Sequence, residues 1–480
     1  MDKEEKMGIE IARNNLVIPQ KSGEWTIASL NQEDYKIEVS KDSNGQFHCN
    51  CSFFTSTGKT CRHIYAVRYT INLIQLREGD PLKKPGAVKT NKSRYKQNWS
   101  PYNEAQNNAD VVFPWILSDL LFGLKTKQNE TGRPPIKLNE ALFCTLRKVC
   151  LNKTIRGVKC QYASDLKDKY IEHTPHPNIT SKILNREDIT PHIDHILAKT
   201  SRPFVGRARI FAIDSSGFST SIIEDKKGND QDKDNKQTSI IKNGIHNSQD
   251  ENSKKTSKNE EKKEIDQNKD DKKRHHKSIK GHIMVDVDTH IITAATVTNS
   301  NIPDSKEFEK LVNITKKNGF TIERILADKG YYSEDICQFA ENNNIEYYTH
   351  PKSNANPDPG TLLNRMVDKY LLHIEEYLDN YHQRSNVEAT FHMIKCFGEQ
   401  LRSKNDIAQK NEVLCKLIGH NIHVLIHEMY QSLSYRYQEL DLSKFIPGIT
   451  SQRYNPITPN VSCQPVYDLI SENRFPRFRD

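Results

Sequence analysis

Four residues near the C-terminal end of the chain have types and a spacing that could hold a metal ion beside a phosphodiester. They are Tyr381, Arg384, Glu388 and Lys395. On an α-helix, where each residue turns by about 100°, all four would share one narrow stripe. A carboxylate between two cations suits a divalent metal and a neighbouring phosphate. The same stripe could instead be a solvent-exposed face, because Arg384 and Glu388 have the spacing of a surface ion pair.

Two aspartates follow apolar segments that have the composition of buried strands. Asp214 ends the segment RARIFAID, and Asp328 ends the segment IERILAD. Catalytic groups favour the carboxyl ends of strands in open α/β sheets, so these carboxylates could converge with Glu388. Hard oxygen ligands favour Mg²⁺ or Mn²⁺, and a pair of such ions assists phosphoryl displacement. From the residues alone, each aspartate could equally be a turn or cap residue.

A second group of potential metal ligands is closely spaced in the N-terminal part: Cys49, Cys51, Cys61 and His63. Three thiolates and one imidazole in paired C-x-C and C-x-H spacing match a tetrahedral zinc site. Alternating apolar residues over 24–48 predict strands before the site, and a helical segment follows it. Four protein ligands leave no open position, so the site should be structural. The alternative is a set of unconnected core or surface residues.

Length and composition limit the class of protein. A chain of 480 residues allows roughly two to four domains. The net charge of +8 is compatible with nucleic-acid binding without being diagnostic of it. Ten cysteines in so long a chain argue against a secreted disulfide scaffold. We identify no signal peptide and no transmembrane segment, so we expect a cytoplasmic protein that does not enter the membrane.

Changes in composition divide the chain into five regions. They are a zinc module at 1–77, a basic linker at 78–108, a helical region at 109–203, a catalytic region at 204–435 and a tail at 436–480. The linker could lie along phosphates or be a solvated tether. The helical region could be a helix-turn-helix DNA-binding bundle or a packing or dimerisation bundle.

The catalytic region has the element order of an α/β domain. Strands are predicted at 207–214, 280–286, 290–298 and 322–327, and helices at 304–318 and 409–435. A further helix and strand follow Asp328, and a helix carries Glu388. Three strands, then alternating helix and strand, predict a mixed sheet covered by helices.

An insertion at 224–278 interrupts the catalytic region. Lys, Asp, Asn, Ser, Gln and Glu dominate it. Such a composition cannot bury enough apolar surface to offset the entropy lost on ordering, so we predict disorder. The basic end of the insertion, KKRHHKSIKGH, could touch DNA beside the active site or remain a passive, solvated tract.

These motifs resemble two known families. The paired C-x-C and C-x-H ligands, with strands before them and a helix after, resemble the SWIM zinc finger, a module that accompanies DNA-processing proteins. Asp214-Ser-Ser-Gly-Phe, Ala327-Asp328-Lys-Gly-Tyr-Tyr and the ungapped Y-x2-R-x3-E-x6-K pattern from Tyr381 resemble the DDE transposases of bacterial and archaeal insertion sequences. The second resemblance covers roughly residues 110–430.

The resemblance to DDE transposases implies a ribonuclease-H-like catalytic domain. It assigns the catalytic and metal-binding roles, with Mg²⁺ or Mn²⁺, to Asp214, Asp328 and Glu388. The family's reaction cuts a DNA strand by hydrolysis and joins the freed 3′-hydroxyl to target DNA. Positioning and charge stabilisation supply the catalysis.

The resemblance also implies double-stranded DNA as the partner. It assigns contacts with the phosphates or terminal bases of the element end to Tyr381, Arg384 and Lys395, and it implies a homodimer on paired ends at the nucleoid. Two other functions remain open: a metal-dependent nuclease without strand transfer, and an immobilised DNA-binding protein. The intact set of three acids argues against the latter.

Overall fold

The computed structural model describes residues 1–21, 23–28, 36–78, 98–124, 136–224, 275–355 and 360–434. Three of the predicted features lie largely or wholly outside these ranges. They are most of the linker at 78–108, nearly all of the insertion at 224–278, and the tail at 436–480.

The N-terminal module is a small antiparallel sheet packed between helices. Its elements are α1 (Lys3–Arg13), β1 (Val17–Pro19), β2 (Glu24–Ile27), β3 (Ile37–Lys41), β4 (Phe47–Cys49), α2 (Ser52–Thr57) and α3 (Arg62–Arg77). The four strands pair in chain order. A capping box between Asp2 and Glu5 starts α1. Helices α1 and α3 approach so closely that a Cβ at Gly8 would lie 2.6 Å from Cβ of Tyr65.

Between the module and the catalytic sheet, the described residues form five α-helices. They are α4 (Trp99–Leu120), α5 (Leu138–Cys150), α6 (Lys159–Lys167), α7 (Ile179–Leu184) and α8 (Thr190–Ser201). The first turns of α4 lie inside the segment assigned by composition to the linker. Pro101 and Ala105 are buried there, and Ala109 follows on the same face. Small apolar residues at helical spacing therefore continue the packed face of α4 towards its N-terminus.

The catalytic region contains a mixed five-stranded sheet. Its strands are β5 (Ile210–Glu224), β6 (His275–Asp286), β7 (Ile292–Asn299), β8 (Arg324–Ala327) and β9 (Glu346–Thr349). The order is β7-β6-β5-β8-β9. The first three strands pair antiparallel, while β8 joins β5 and β9 joins β8 in parallel. The expectation that β5 ends at Asp214 is wrong, because its antiparallel pairing with β6 continues well beyond that residue.

Helices cover this sheet. They are α9 (Phe308–Lys317), α10 (Glu334–Asn342), α11 (Leu362–Leu372), α12 (Ile374–His382), α13 (Ser385–Lys395) and α14 (Asp406–Ser434). The Tyr381 motif does not lie on one helix, since Gln383 and Arg384 form a turn between α12 and α13. No helix in the described ranges is both long and apolar enough to cross a lipid bilayer.

One hydrophobic core joins the helical region to the catalytic sheet. Helix α14 packs against α4, α5, α7 and α8 as well as β7, and Leu417, Ile418 and Ile422 are fully buried along it. Two buried hydrogen bonds cross the same contact: Thr190 Oγ1 to Asn411 Oδ1, at 2.8 Å, and the Asn421 amide to Thr200 Oγ1, at 2.8 Å. The helices α4–α8 therefore pack as part of the catalytic region's core.

The N-terminal module has a smaller core of its own and docks on α11. The buried carboxylate of Asp368 accepts hydrogen bonds from the Arg13 guanidinium and the Tyr69 hydroxyl, both at 2.9 Å. The Asn72 amide also donates to the carbonyl of Leu371 at 2.7 Å. These polar contacts orient the module on the catalytic region.

Candidate active site and metal centre

The N-terminal module brings its four potential metal ligands together. Cys49 ends β4, Cys51 precedes α2, Cys61 precedes α3, and His63 lies in the first turn of α3. Their donor atoms all lie within 4.8 Å of one another. In the described part of the chain, these residues form the one group of three or more His, Cys, Asp or Glu residues with such spacing.

The electrostatics of this cluster suit a cation. All three cysteines are buried, and Cys49 Sγ lies 3.8 Å from His63 Nδ1. The hydrogen bond from Cys49 lowers the pKa of the Cys61 thiol, and the same pairing raises the pKa of the Cys49 thiol. The thiols of Cys49 and Cys61 thus favour a state in which Cys61 is ionised and Cys49 keeps its proton. A zinc ion would favour the thiolate form of all three and leave the tetrahedron complete.

The sheet register places Asp214 beside Asp328. In the parallel pairing of β5 with β8, Ile213 is opposite Ala327, so each aspartate directly follows one of these paired residues. Neighbouring strands lie about 4.8 Å apart, so the two backbones are adjacent at this point. The carbonyl of Asp328 accepts a hydrogen bond from Thr349 Oγ1 at 2.9 Å, which fixes the start of the following turn.

A guanidinium group connects Asp214 to Glu388. Arg384 Nη1 lies 3.4 Å from Asp214 Oδ2, and Arg384 Nη2 lies 2.6 Å from Glu388 Oε1. Glu388 stands in the first turn of α13, and its side chain is 58% exposed, whereas that of Asp214 is 19% exposed. The site thus has a recessed aspartate, an open glutamate and a cation between them.

Burial and negative charge act together on Asp214. Burial is the main cause that raises its pKa to about 6, and the carboxylates of Asp328 and Glu388 raise it further. The N–H of Ser215 and the guanidinium of Arg384 act in the opposite direction. The three acids do not form a group with all donor atoms within 4.8 Å. Two metal ions about 3.5–4 Å apart can be held by carboxylates whose oxygens lie more than 4.8 Å from one another.

Tyr381 and Lys395 flank the acids in different ways. Tyr381 is 8% exposed and packs against His350, and the Arg384 guanidinium lies 5.7 Å from the centroid of its ring. Burial raises the pKa of the Tyr381 hydroxyl to about 12. Lys395 is partly exposed at the other end of α13, 3.9 Å from the exposed Glu399. Tyr381 therefore supports Arg384, while Lys395 is open to a partner.

Lys280 and Asp304 form an ion pair near the turn after Asp328. Lys280 Nζ is 3.0 Å from Asp304 Oδ1, and a Cβ at Gly330 would lie 3.9 Å from Asp304 Oδ2. Lys280 faces Gly217 across β5 and β6. Lys280 belongs to the basic segment KKRHHKSIKGH, for which contact with DNA is one of two interpretations, whereas no motif marks Asp304. The fold brings both residues near the turn after Asp328.

Comparison with protein families gives two matches. Residues 35–72 match the SWIM zinc finger, and residues 206–422 match the transposase DDE domain. Comparison with curated proteins gives no match. The first match contains the cysteine cluster, and the second contains Asp214, Asp328 and Glu388. The mixed sheet and the second match confirm the predicted α/β fold. The chain therefore combines an N-terminal SWIM zinc finger with a transposase DDE domain of ribonuclease-H-like fold.

Proposed function

We propose that this protein is a transposase that binds the ends of its mobile element, cleaves the DNA and joins the 3′-hydroxyl ends to target DNA. The main support is the convergence of Asp214, Asp328 and Glu388, within the residues that match the transposase DDE domain. Asp214 lies on β5, Asp328 directly follows the adjacent β8, and Glu388 lies on α13. These segments are far apart in sequence. Three acids gathered beside a guanidinium suit phosphodiester chemistry better than a structural role.

The three acids would hold Mg²⁺ or Mn²⁺ through hard carboxylate oxygens. Such ions activate the attacking oxygen and stabilise the leaving oxygen of a phosphodiester. Asp214 and Asp328 would supply ligands from a fixed base, because the sheet holds their backbones side by side. Glu388 is exposed on α13 and would complete the site from the side that DNA approaches.

Arg384 would change partners when DNA binds. Without DNA or metal, its guanidinium neutralises Asp214 and Glu388. In the proposed complex it would donate hydrogen bonds to a phosphate, a ligand that fits the planar guanidinium group. Tyr381 is buried beneath it, so we infer that Tyr381 contributes to DNA binding mainly by positioning Arg384. Lys395 would contact a second phosphate from the open end of α13.

The SWIM module would bind one structural zinc ion through Cys49, Cys51, Cys61 and His63. Its four ligands close the coordination shell, so it would take no part in the chemistry. The module would add a contact to double-stranded DNA or to a second copy of the chain. A homodimer on paired ends is part of the same proposal.

The test replaces Glu388 with Gln, which removes the negative charge and keeps the shape of the side chain. With Mg²⁺ and a duplex that carries the element's own ends, cleavage should fall by about 10³-fold or more, while duplex binding is retained. The matched control is Asp335→Asn, because Asp335 is an exposed acid on α10. Full cleavage by Glu388→Gln would refute the assignment. Cleaved ends that the parent protein never joins to target DNA would identify a nuclease without strand transfer.

A further inference from the structure

A basic cavity lies apart from the acidic site, between the helical region and the segment that precedes α14. Its volume is about 560 Å³, within the range of pockets that hold ligands. Residues of α5, of the loop after it and of α7 line one side, and residues 402–405 line the other. The cavity thus spans the contact between the two regions that share one core.

Four cations line the cavity: Lys148, Arg156, Arg402 and Lys404. No carboxylate is among the described residues that line it. Arg402 donates to the Asn152 side chain at 3.0 Å and to its backbone carbonyl at 3.1 Å, both neutral acceptors. Its positive charge is therefore not cancelled by these contacts.

Lys148 is the most informative of the four cations. It is 5% exposed, yet within the described ranges no carboxylate oxygen lies at ion-pair distance from its amine. A buried charge is costly unless a counter-charge or several hydrogen bonds compensate it. Lys148 lines the cavity. The nearby Glu412 carboxylate acts on its charge without forming an ion pair with it, so an anion bound in the cavity would add a closer counter-charge.

The loop opposite Lys148 is held in place before any ligand binds. The buried carboxylate of Glu412 accepts the backbone N–H groups of Arg402 and Ser403, at 3.0 and 2.8 Å. The Gln409 amide donates to the carbonyls of Ser403 and Lys404, at 3.2 and 3.3 Å. A fixed backbone lowers the entropy lost when the side chains bind a partner.

We propose that this cavity binds the sugar-phosphate backbone of duplex DNA at a second position, apart from the acidic site. The lining offers the donors that phosphate contacts use: lysine, arginine and the hydroxyl and amide groups of Ser181 and Asn185. Such contacts position a duplex without reading its sequence. The proposal rests on DNA being the partner of the chain, and its test is kept separate from cleavage.

The chain path places this cavity within reach of one duplex that also occupies the acidic site. Glu388 and Lys395 are separated by about 10 Å along α13. The chain from Lys395 to Arg402 spans at most about 25 Å. The cavity therefore lies within about one helical turn of DNA, roughly 34–36 Å, from Glu388.

The first test removes two exposed cations of the cavity in the full-length chain, Arg156→Gln with Lys404→Gln. Binding to a duplex of arbitrary sequence is measured without added Mg²⁺ over a series of NaCl concentrations. Each lost phosphate contact lowers the slope of log affinity against log salt by about 0.9, so the slope should fall by about 2. The control is Lys167→Gln with Lys317→Gln, two exposed lysines outside the cavity, which should keep the parent slope.

The second test replaces Lys148 with Met, which keeps the apolar stem and removes the buried charge. The melting temperature should stay the same or rise. DNA affinity should fall, and the slope of log affinity against log salt should decrease by about 0.9, the value for one phosphate contact. Unchanged slopes in both cavity variants would overturn the proposal. So would a loss confined to RNA duplexes, or a loss of inorganic phosphate binding alone with DNA binding intact. These readouts do not depend on cleavage, so a parent protein that never cuts DNA would refute the proposed function and leave this inference standing.

Discussion

The cysteine cluster and the acidic site are both potential metal centres, and they are assembled differently. The cluster uses ligands from one short stretch, and a hairpin and the starts of two helices bring their donor atoms within 4.8 Å. The acidic site joins groups that are 170 residues apart in sequence, such as Asp214 and Arg384. Its acids are more widely spaced, and a protein cation lies between two of them.

The two sites therefore relate differently to the stability of the protein. A metal ion in the cysteine cluster would stabilise the module, whereas the acidic site costs stability that the rest of the fold must supply. In the cluster, a bound ion would reinforce the small core of the module, to which the three cysteines belong. At the acidic site, neighbouring carboxylates repel one another and Arg384 offsets part of the repulsion. The fold pre-assembles both sites, but only the second keeps an exposed side, at Glu388, from which a large substrate can approach.

The largest effect is expected from breaking the cluster with Cys61→Ser. Cys61 is fully buried and contributes one of three thiolates, so its loss should abolish tight zinc binding and unfold the module. The main core should persist, because the module contributes few residues to it and has a second core that contains the cysteines. Zinc content per chain and limited proteolysis would measure the two outcomes.

The control for this experiment is Cys160→Ser, which changes an exposed cysteine on α6. It should retain the parent zinc content and the parent proteolysis pattern. One zinc ion per chain in Cys61→Ser would show that the ligand set is wrong. Unfolding of the whole chain would instead show that docking through Asp368 links the module to the catalytic region more tightly than the separate cores suggest.

At the acidic site, Asp214→Asn should have a smaller effect on stability, and it should stabilise the protein where Cys61→Ser destabilises the module. The pKa of Asp214 is raised to about 6 from 3.8. Between these pH values the folded chain retains a proton that the unfolded chain has lost, so stability falls as the pH rises, and the full cost is present above pH 6. Without Mg²⁺, the variant should unfold with a free energy about 1–3 kcal/mol higher at pH 8. Denaturant titrations at pH 5 and pH 8 measure it.

The pH dependence distinguishes this effect from a general change in packing. The gain should shrink by about half at pH 5, where much of the penalty in the parent protein is absent. Asp335→Asn, at an exposed site, should give equal stability changes at both pH values. A destabilised Asp214→Asn at pH 8 would mean that its ion pair with Arg384 outweighs the cost of burial, and the contrast between the two centres would then disappear.

The same contrast explains what could be predicted from the sequence. The clustering of Cys49, Cys51, Cys61 and His63 agrees with the prediction, because it follows from local spacing. Apolar segments predict most strands of the catalytic sheet. The continuation of β5 past Asp214 was missed, since it depends on pairing with β6 across an insertion. The turn at Gln383 and Arg384 was missed as well, because no glycine or proline marks it.

The grouping of cations around the basic cavity could not be predicted from the sequence for a similar reason. Lys148 and Arg402 come from segments far apart in the chain, and each one alone resembles a surface residue. Only the packing of α5 and α7 near the start of α14 places them around one cavity. The burial of Lys148 could not be predicted from the amphipathic pattern, which assigns lysine to the solvent face of a helix.

The smallest effect is expected from Lys395→Ala on the open side of the acidic site. Among the described residues, Lys395 pairs with the exposed Glu399, and such surface pairs contribute little to stability. The fold should therefore be unaffected, while the salt dependence of binding to the element's ends should weaken by about one phosphate contact, a slope change of about 0.9. Lys317→Ala provides an exposed lysine control. If Lys395→Ala keeps the parent slope, the DNA path does not follow α13, and the exposed side at Glu388 must receive the substrate from another direction.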